Sequence, residues 1–272
     1  MDEITIMGIR IKRSPASRDY KPEKHCAYLN NGFCKECDCE ACEGGYLIDE
    51  WREAIRQGRD PGGPRECACV RRARNQKRIR DSGLEKLIEK CTFYNFRTVE
   101  SWQAEMKRKA FEYLDDSNRQ NSFFIAGQSG SGKTHLCTAI CNEIMKDGGR
   151  LIYFQYVKDG TRLKQIVNER EQYEAAVDSL IEIPFLCIDD LFKQEVSSAD
   201  IRLMYEIING RHIAQRPTII SSERSLAYIK EARNGDGEAI AGRIFEACGY
   251  GRFCIELTGS NKNQRFCQVF RQ

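Results

Sequence analysis

The sequence predicts an α/β fold, in which a parallel sheet is covered by helices, preceded by a small cysteine-rich domain. From about residue 91 onward, short apolar segments alternate with segments of helical periodicity, which is typical of parallel sheets. The segment FFIAGQSGSGKTH, residues 123–135, places a glycine-rich loop between an apolar strand and an amphipathic helix. Seven of the fourteen cysteines lie within residues 25–90, upstream of this pattern. We therefore expect two parts of different construction.

The composition limits the class of protein. The chain has 272 residues, of which 41% are hydrophobic, enough for one large domain or two modest ones. With 31% charged residues and no run of eighteen apolar residues, no membrane span or membrane partner is expected. Residues 1–24 lack the apolar core of a secretory signal, so we expect a cytoplasmic protein. The net charge of +3 does not by itself indicate nucleic acid, although residues 71–80 carry six basic residues and no acid.

The elements of the α/β part follow from the hydrophobic pattern. The first strand spans residues 123–126, and the helix after it carries Leu136, Ile140 and Ile144 on one face. Gly148-Gly149 is expected to end that helix. Further strands are predicted at 151–157, 184–188 and 218–220, with helical patterns at about 160–180 and 198–214.

The strongest functional signal is the motif Gly127-x-x-x-x-Gly132-Lys133-Thr134, which follows the first strand and opens the helix. Glycines let backbone N–H groups turn toward a polyphosphate, and the helix N-terminus adds a positive dipole. We expect Lys133 to reach the β- and γ-phosphates and the Thr134 hydroxyl to hold Mg²⁺. The motif therefore predicts a nucleoside triphosphate site. The predicted nucleotide-binding residues are Gly127, Gln128, Ser129, Gly130, Ser131, Gly132, Lys133, Thr134 and His135.

Two adjacent carboxylates end the apolar strand predicted at residues 184–188. Asp189 is expected in the magnesium shell, and Asp190 is expected to orient the attacking water. An alternative is that these two acids cap the helix that follows. Their place after a buried strand, in a chain that also has a phosphate loop, favours the catalytic interpretation.

The cysteine spacing favours a structural zinc site. Cys39-x-x-Cys42 and Cys67-x-Cys69 supply two ligand pairs, and the glycine-rich loop between them can fold back to form a tetrahedron. A disulfide framework is not expected in the cytoplasm. Several further ligand types precede these pairs, and a second metal, ligand exchange around one zinc and free thiols remain alternatives for them: His25, Cys26, Cys34 and Cys37.

From about residue 37 onward, the chain resembles AAA+ ATPases, specifically replicative-helicase loaders of the DnaC/DnaI type. CEACEGGYL (39–47) and ECACVRRAR (66–74) are similar to the family's zinc module, and SGLEKLIEKCTFYNF (82–96) is similar to its bridge into the ATPase core. RPTIISSERSL (216–226) resembles the first sensor strand, and AIAGRIFEACG (239–249) resembles the segment with an arginine finger.

The resemblance implies an ATPase that uses ATP, Mg²⁺ and Zn²⁺. It implies a DnaB-type hexameric helicase and single-stranded DNA as partners, and self-association through the AAA+ domain. Lys133, Asp190, Arg243 and Arg265 would be catalytic, with Arg243 acting in the neighbouring subunit and Arg265 touching the γ-phosphate of its own. The short stretch after Arg265 fits a core without an extended lid. The candidate DNA contacts are Lys158, Arg162 and Lys164.

Two departures from the family pattern bear on hydrolysis. The sensor strand ends in Ser221-Ser222-Glu223 instead of Thr-Ser-Asn, and an ionised glutamate cannot donate to the γ-phosphate. Either Ser222 makes this contact or hydrolysis is slow. Asp190 stands where many such ATPases have glutamate, which keeps the charge on a shorter side chain.

Four segments and one function are therefore expected. Residues 1–24 form a flexible arm, 25–70 a zinc-binding helicase-interaction domain, 71–99 a basic helical connector and 100–272 the AAA+ ATPase domain. The predicted function is ATP-dependent loading of the replicative helicase onto single-stranded DNA. An IstB-type transposition helper and a non-hydrolysing adaptor, which holds ATP only as a structural ligand, are the alternatives.

Overall fold

The computed structural model describes residues 85–116, 120–147, 149–259 and 261–267. Short pieces of the preceding segment are also described, at 4–6, 9–11, 29–30, 33–34, 42–43, 46–47, 53, 56–58 and 65–66. Among these residues, no helix has both the length and the apolar character needed to cross a bilayer.

Seven short strands lie in the N-terminal segment, and five longer ones form the main sheet. The short strands are β1 (Ile4–Ile6), β2 (Ile9–Ile11), β3 (Leu29–Asn30), β4 (Phe33–Cys34), β5 (Cys42–Glu43), β6 (Tyr46–Leu47) and β7 (Arg65–Glu66). The long strands are β8 (Phe123–Gly127), β9 (Leu151–Gln155), β10 (Phe185–Leu191), β11 (Thr218–Ser222) and β12 (Cys254–Leu257). The main sheet has the order β12-β8-β11-β10-β9, and all its pairs are parallel.

Helices connect the strands of the main sheet, as the alternating pattern predicts. They are α1 (Glu85–Lys90), α2 (Ser101–Leu114), α3 (Lys133–Lys146), α4 (Tyr156–Gln165), α5 (Arg170–Glu182), α6 (Ser198–Ile213), α7 (Leu226–Glu231), α8 (Glu238–Ala247) and α9 (Gln264–Cys267). Phe123, Phe124 and Ile125 of β8 are fully buried, because both faces of an inner parallel strand are covered. The predicted parallel sheet covered by helices is confirmed.

The strand predicted at residues 151–157 is shorter in the structure. It ends at Gln155, and Tyr156 and Val157 belong to α4. The Asp159 carboxylate accepts a hydrogen bond from the Gln155 N–H over 2.9 Å, which stabilises the first turn of that helix. The single helical pattern at 160–180 is also two helices, α4 and α5.

One fully buried arginine joins α5, α6 and the starts of β10 and β11. The Arg211 guanidinium donates to the carbonyls of Leu180 at 2.6 Å, Ile183 at 2.9 Å and Pro217 at 2.6 Å, and to the Thr218 hydroxyl at 2.9 Å. Burial lowers the pKa of Arg211 to about 9, so the side chain is charged at neutral pH. The carbonyls of Leu180 and Ile183 obtain a donor in this way, and the Pro217 carbonyl, which also accepts from the Leu186 N–H at 3.4 Å, obtains a second one.

The segment before the ATPase core packs into it. Phe93 and Phe96 are buried in the hydrophobic core, and the Asn142 amide of α3 donates to the carbonyls of Ile88 and Cys91, each at 2.8 Å. These contacts fix the part of the predicted connector nearest the core. The four segment boundaries stay a prediction.

The predicted zinc ligands Cys39, Cys67 and Cys69 lie outside the described residues, and of Cys42 only the strand is described. β5, which contains Cys42, pairs with β6, and β6 pairs with β7, which ends directly before Cys67. One small sheet thus connects the two sequence regions that contain the ligand pairs. The side chains of this segment and the alternatives for His25, Cys26, Cys34 and Cys37 are not described.

Candidate nucleotide-binding site

The loop between β8 and α3 has the backbone shape that a phosphate loop needs. Gly130 and Gly132 have φ values of 76° and 93°, in the left-handed region that side chains disfavour. Gly132 directly precedes α3, whose first N–H groups have no partner within the helix. The loop therefore presents unpaired backbone donors and a helix dipole to an anion.

Lys133 lies beneath this loop with only 4% of its surface exposed. Its Nζ donates to the carbonyls of Gly127 at 2.8 Å and Gln128 at 2.9 Å, and burial lowers its pKa. The Ser131 hydroxyl is buried and has no hydrogen-bond partner among the described residues. A buried cation beside an unpaired hydroxyl fits a bound phosphate, which would accept from both.

Asp189 at the end of β10 is buried and connects three elements. Its Oδ1 accepts from the Thr134 hydroxyl of α3 at 3.0 Å and from the Ser221 hydroxyl of β11 at 2.6 Å. Burial raises the pKa of this carboxyl, and the hydrogen bond from Ser221 opposes that shift. A threonine hydroxyl and an aspartate oxygen this close are oxygen ligands of the kind that Mg²⁺ prefers.

Asp190 has a different environment from Asp189. Its φ of 60° is unusual for a residue other than glycine, and its N–H donates to the Ser221 hydroxyl at 2.9 Å. Its carboxylate is partly exposed and accepts from Lys193 Nζ at 2.6 Å. The two adjacent carboxylates are thus suited to different roles, as the sequence predicts. Neither caps a helix among the contacts described.

The sensor strand does not present Ser222 to the phosphate loop. Ser222 is fully buried, and its hydroxyl donates to the Leu191 carbonyl at 2.7 Å and accepts from the Arg224 N–H at 2.9 Å. A hydroxyl has one hydrogen, so none is left for a phosphate in this arrangement. Its assignment as a nucleotide contact stays a prediction that these hydrogen bonds do not favour.

The two predicted catalytic arginines have different surroundings. Arg243 of α8 donates to the Asn209 side chain at 2.5 Å, and its guanidinium lies 5.2 Å from the centre of the Tyr205 ring. None of its described contacts is with the phosphate loop. Arg265 is exposed, but the N–H of the preceding Gln264 donates to the Gly130 carbonyl at 3.0 Å, so the chain around Arg265 lies against the loop.

His135 and the basic residues of α4 have partners of their own. The His135 ring is hydrogen-bonded to the Thr92 carbonyl at 2.9 Å and lies edge-on against Phe96. Lys164 pairs with Asp200 at 2.6 Å, whereas Lys158 and Arg162 are exposed. Of the candidate DNA contacts, Lys164 is thus partly neutralised.

Sequence reasoning missed residues whose role depends on neighbouring strands. Ser221 contacts both aspartates, a role that its place in the sensor motif did not predict, and Lys193, which belongs to no motif, pairs with Asp190. A cavity of about 310 Å³ adjoins the start of the phosphate loop, and its lining includes Gln128, Glu223 and Arg224. The order of the strands, once known, would have placed Ser221 beside Asp189.

The strand order, the loop after β8 and the aspartates near the end of β10 define a P-loop NTPase of the AAA+ class. The chain belongs to the IstB-like ATP binding protein family, which matches residues 65–248.

Three relatives extend this family assignment. YqaM of Bacillus subtilis (strain 168) is 33% identical over 214 residues, which cover 73% of this chain and 63% of YqaM. The phage-like element PBSX protein XkdC of the same strain is 31% identical over 228 residues, or 78% of this chain and 79% of XkdC. The replicative helicase loader DnaC of Escherichia coli (strain K12) is 28% identical over 171 residues, or 61% of this chain and 70% of DnaC.

Two solved structures share the fold. The DnaC helicase loader superposes with a TM-score of 0.56 at 20% identity, covering 64% of this chain and 99% of that one. DnaI superposes with a TM-score of 0.54 at 21% identity, covering 64% of this chain and 94% of that one. These likenesses confirm the predicted AAA+ fold of the core.

Proposed function

We propose that the protein is an ATP-dependent loader that binds a DnaB-type hexameric helicase and helps place it on single-stranded DNA. The similarity to the replicative helicase loader DnaC carries this proposal. The arrangement of Lys133, Thr134 and Asp189 around one loop supports the ATP-binding part of it. A role in replication also accounts for the cytoplasmic location that we expect.

Within this proposal, each side chain of the site has one task. Lys133 and the loop N–H groups bind the β- and γ-phosphates. The Ser131 hydroxyl, which has no partner among the described residues, donates to a phosphate oxygen. Thr134 and Asp189 would hold Mg²⁺, and the ion would supply charge that neutralises the phosphates. Asp190 orients the attacking water. To accept a hydrogen bond from that water, its Oδ2 must leave the Lys193 ammonium, which now lies 2.6 Å away.

The partners are proposed from the surface residues. Arg243 is held on α8 by Asn209 and Tyr205, which preorganises it for a neighbouring subunit. Lys158 and Arg162 are four residues apart on α4 and exposed, so both can contact a single-stranded backbone. Zinc held by Cys39, Cys42, Cys67 and Cys69 would stabilise the helicase-binding domain, and the β5-β6-β7 sheet supports this arrangement.

The zinc proposal predicts a metal content and a linked loss of function. Purified protein is expected to contain at least one tightly bound zinc, and Cys39→Ser or Cys67→Ser should lose both the zinc and the helicase interaction. Elemental analysis and size-exclusion chromatography with the helicase measure the two effects. Cys187→Ser serves as control, because this cysteine is buried in the core strand β10. Absence of zinc, or iron in its place, would contradict the assignment.

Turnover with both partners tests the loader proposal. Arg243→Ala is expected to bind ATP almost normally but to lose ATP-dependent assembly and stimulated turnover, since arginine fingers contribute roughly 10³–10⁵ in rate. Mutant protein mixed into wild type should reduce turnover more than its fraction, because each defective subunit also disables its neighbour's site. ATP hydrolysis is measured with and without helicase and single-stranded DNA.

The same assay contains the outcome that favours the adaptor. If wild-type turnover stays flat with both partners and rises only in Glu223→Asn, the protein holds ATP as a structural ligand and the hydrolysis step is wrong. The match to the IstB-like family keeps a second candidate, a transposition helper acting on duplex DNA. Stimulation by duplex DNA and not by helicase with single strands would favour that candidate.

A further inference from the structure

At the end of β10, the backbone turns back beside the two carboxylates of that strand. Asp190 and Phe192 have φ values of 60° and 55°, both in the left-handed region, and the Lys193 N–H donates to the Asp190 carbonyl at 3.2 Å. Phe192 is fully buried with its ring edge-on to Tyr156, so the shape is anchored in the core. Strained backbone of this kind persists only where surrounding packing enforces it, and it is common at functional sites.

This turn brings the Lys193 ammonium between two carboxylates. Nζ lies 2.6 Å from Asp190 Oδ2 and 3.9 Å from Glu223 Oε1. The hydrogen bond that Lys193 donates to Asp190 raises the pKa of Lys193, so the ammonium stays charged. Exposed ion pairs usually contribute little to stability, and this pair is only partly buried. Its position at the end of the catalytic strand therefore needs a reason other than stability.

Three observations place this cluster beside the phosphate site. Glu223 lines the same cavity as Gly127 and Gln128 of the phosphate loop. Asp190 directly follows Asp189, which is hydrogen-bonded to Thr134 of the loop helix. Lys133 and Lys193 are also close enough that the charge of Lys193 lowers the pKa of Lys133, although burial is the larger cause.

Neither of the last two sensor residues offers a donor to the γ-phosphate. A glutamate carboxylate at position 223 has no hydrogen to donate, and the Ser222 hydroxyl is engaged with the Leu191 carbonyl. An anion at the sensor position would also repel the γ-phosphate unless a cation lies near it. Lys193, paired with Glu223, supplies both the neutralising charge and a donor on a flexible stem.

We propose that Lys193 is a positioning residue that responds to the γ-phosphate, pairing with Asp190 when no γ-phosphate is present and moving to that phosphate when ATP is bound. Glu223 remains its anchor in both states. The move frees the Asp190 carboxylate to orient water, and after hydrolysis and phosphate release Lys193 returns to Asp190. This inference rests on the proposed ATP site and extends it to the discrimination of ATP from ADP.

The test compares affinities for ATP and ADP, because the proposal assigns Lys193 to the γ-phosphate, which ADP lacks. Lys193→Met is expected to weaken ATP binding about tenfold, the effect of one charge-assisted hydrogen bond, and to leave ADP binding within about twofold. Lys193→Arg should restore most of the discrimination. Lys230→Met is the matched control, since Lys230 is an exposed lysine paired with Glu238 at 3.3 Å. Titration calorimetry with ATP in EDTA and in Mg²⁺, and with ADP, measures the ratios.

The ratio of ATP to ADP affinity also distinguishes a contact to the γ-phosphate from a restraint that acts only on Asp190. If Lys193→Met keeps the wild-type ratio of ATP to ADP affinity, the proposal is wrong, whatever happens to turnover. The proposed function would be contradicted by different results. These are wild-type protein that binds neither ATP nor ADP, or wild-type protein that hydrolyses ATP without any response to helicase. Measuring the affinity ratio does not require hydrolysis, so the test of Lys193 is also valid for a non-hydrolysing adaptor.

Discussion

Lys133→Ala is expected to weaken ATP binding by at least about a hundredfold, or about 3 kcal/mol. The ammonium is buried beneath the phosphate loop and already aims its donors at the carbonyls of Gly127 and Gln128. When phosphate binds, the same charge can serve the β- and γ-oxygens at little reorganisation cost. Removing it leaves two phosphates without their charged donor. Fluorescence titration with a labelled ATP analogue measures the change.

Lys146→Ala is the control for this experiment. Lys146 lies at the other end of the same helix, is exposed and pairs with Glu143 at 2.7 Å. The substitution Lys146→Ala should leave the affinity for ATP unchanged. Circular dichroism should show both variants folded, because the loop charge does not contribute to the hydrophobic core. Normal binding by Lys133→Ala would remove the basis for placing nucleotide at this loop.

Arg211→Met is expected to lower the free energy of unfolding by about 3 to 5 kcal/mol. The substitution retains an apolar stem but removes the guanidinium donors from the carbonyls of Leu180, Ile183 and Pro217. The Leu180 and Ile183 carbonyls lose the donor described for them, which costs about 1 to 3 kcal/mol each when water does not enter, whereas Pro217 keeps the Leu186 N–H at 3.4 Å. Urea denaturation followed by circular dichroism measures the change.

The matched control is Arg202→Met, on the same helix but exposed. Its effect should be within about 0.5 kcal/mol. Arg211→Lys should fall between the two, because an ammonium carries fewer donors than the guanidinium fork. If Arg211→Met and Arg202→Met have equal free energies of unfolding, the prediction is wrong. Water would then satisfy the carbonyls that Arg211 binds.

Local sequence patterns predicted the fold and the phosphate loop well. The loop depends on glycines at positions of positive φ and on a lysine at the first turn of a helix, and all of these are neighbours in sequence. The strands of the main sheet are continuous apolar runs because both their faces are covered. Errors arose where polar side chains decided an element's end. The Asp159 carboxylate accepts from the Gln155 N–H, and β9 ends at Gln155, two residues before its expected end.

The sequence by itself determined the parallel α/β class, the position of the phosphate loop and the two candidate carboxylates, because each depends on residues within one strand, turn and helix. Only the tertiary structure decided what surrounds them. Ser221, which contacts both aspartates, comes from a neighbouring strand 31 or more residues away along the chain. Lys193 meets Asp190 through a left-handed turn anchored by the buried Phe192, and Arg211 binds carbonyls of two separate segments, at residues 180–183 and at Pro217. Hydrogen bonds and charge pairs between distant segments depend on how the strands are ordered, and no local periodicity encodes that order.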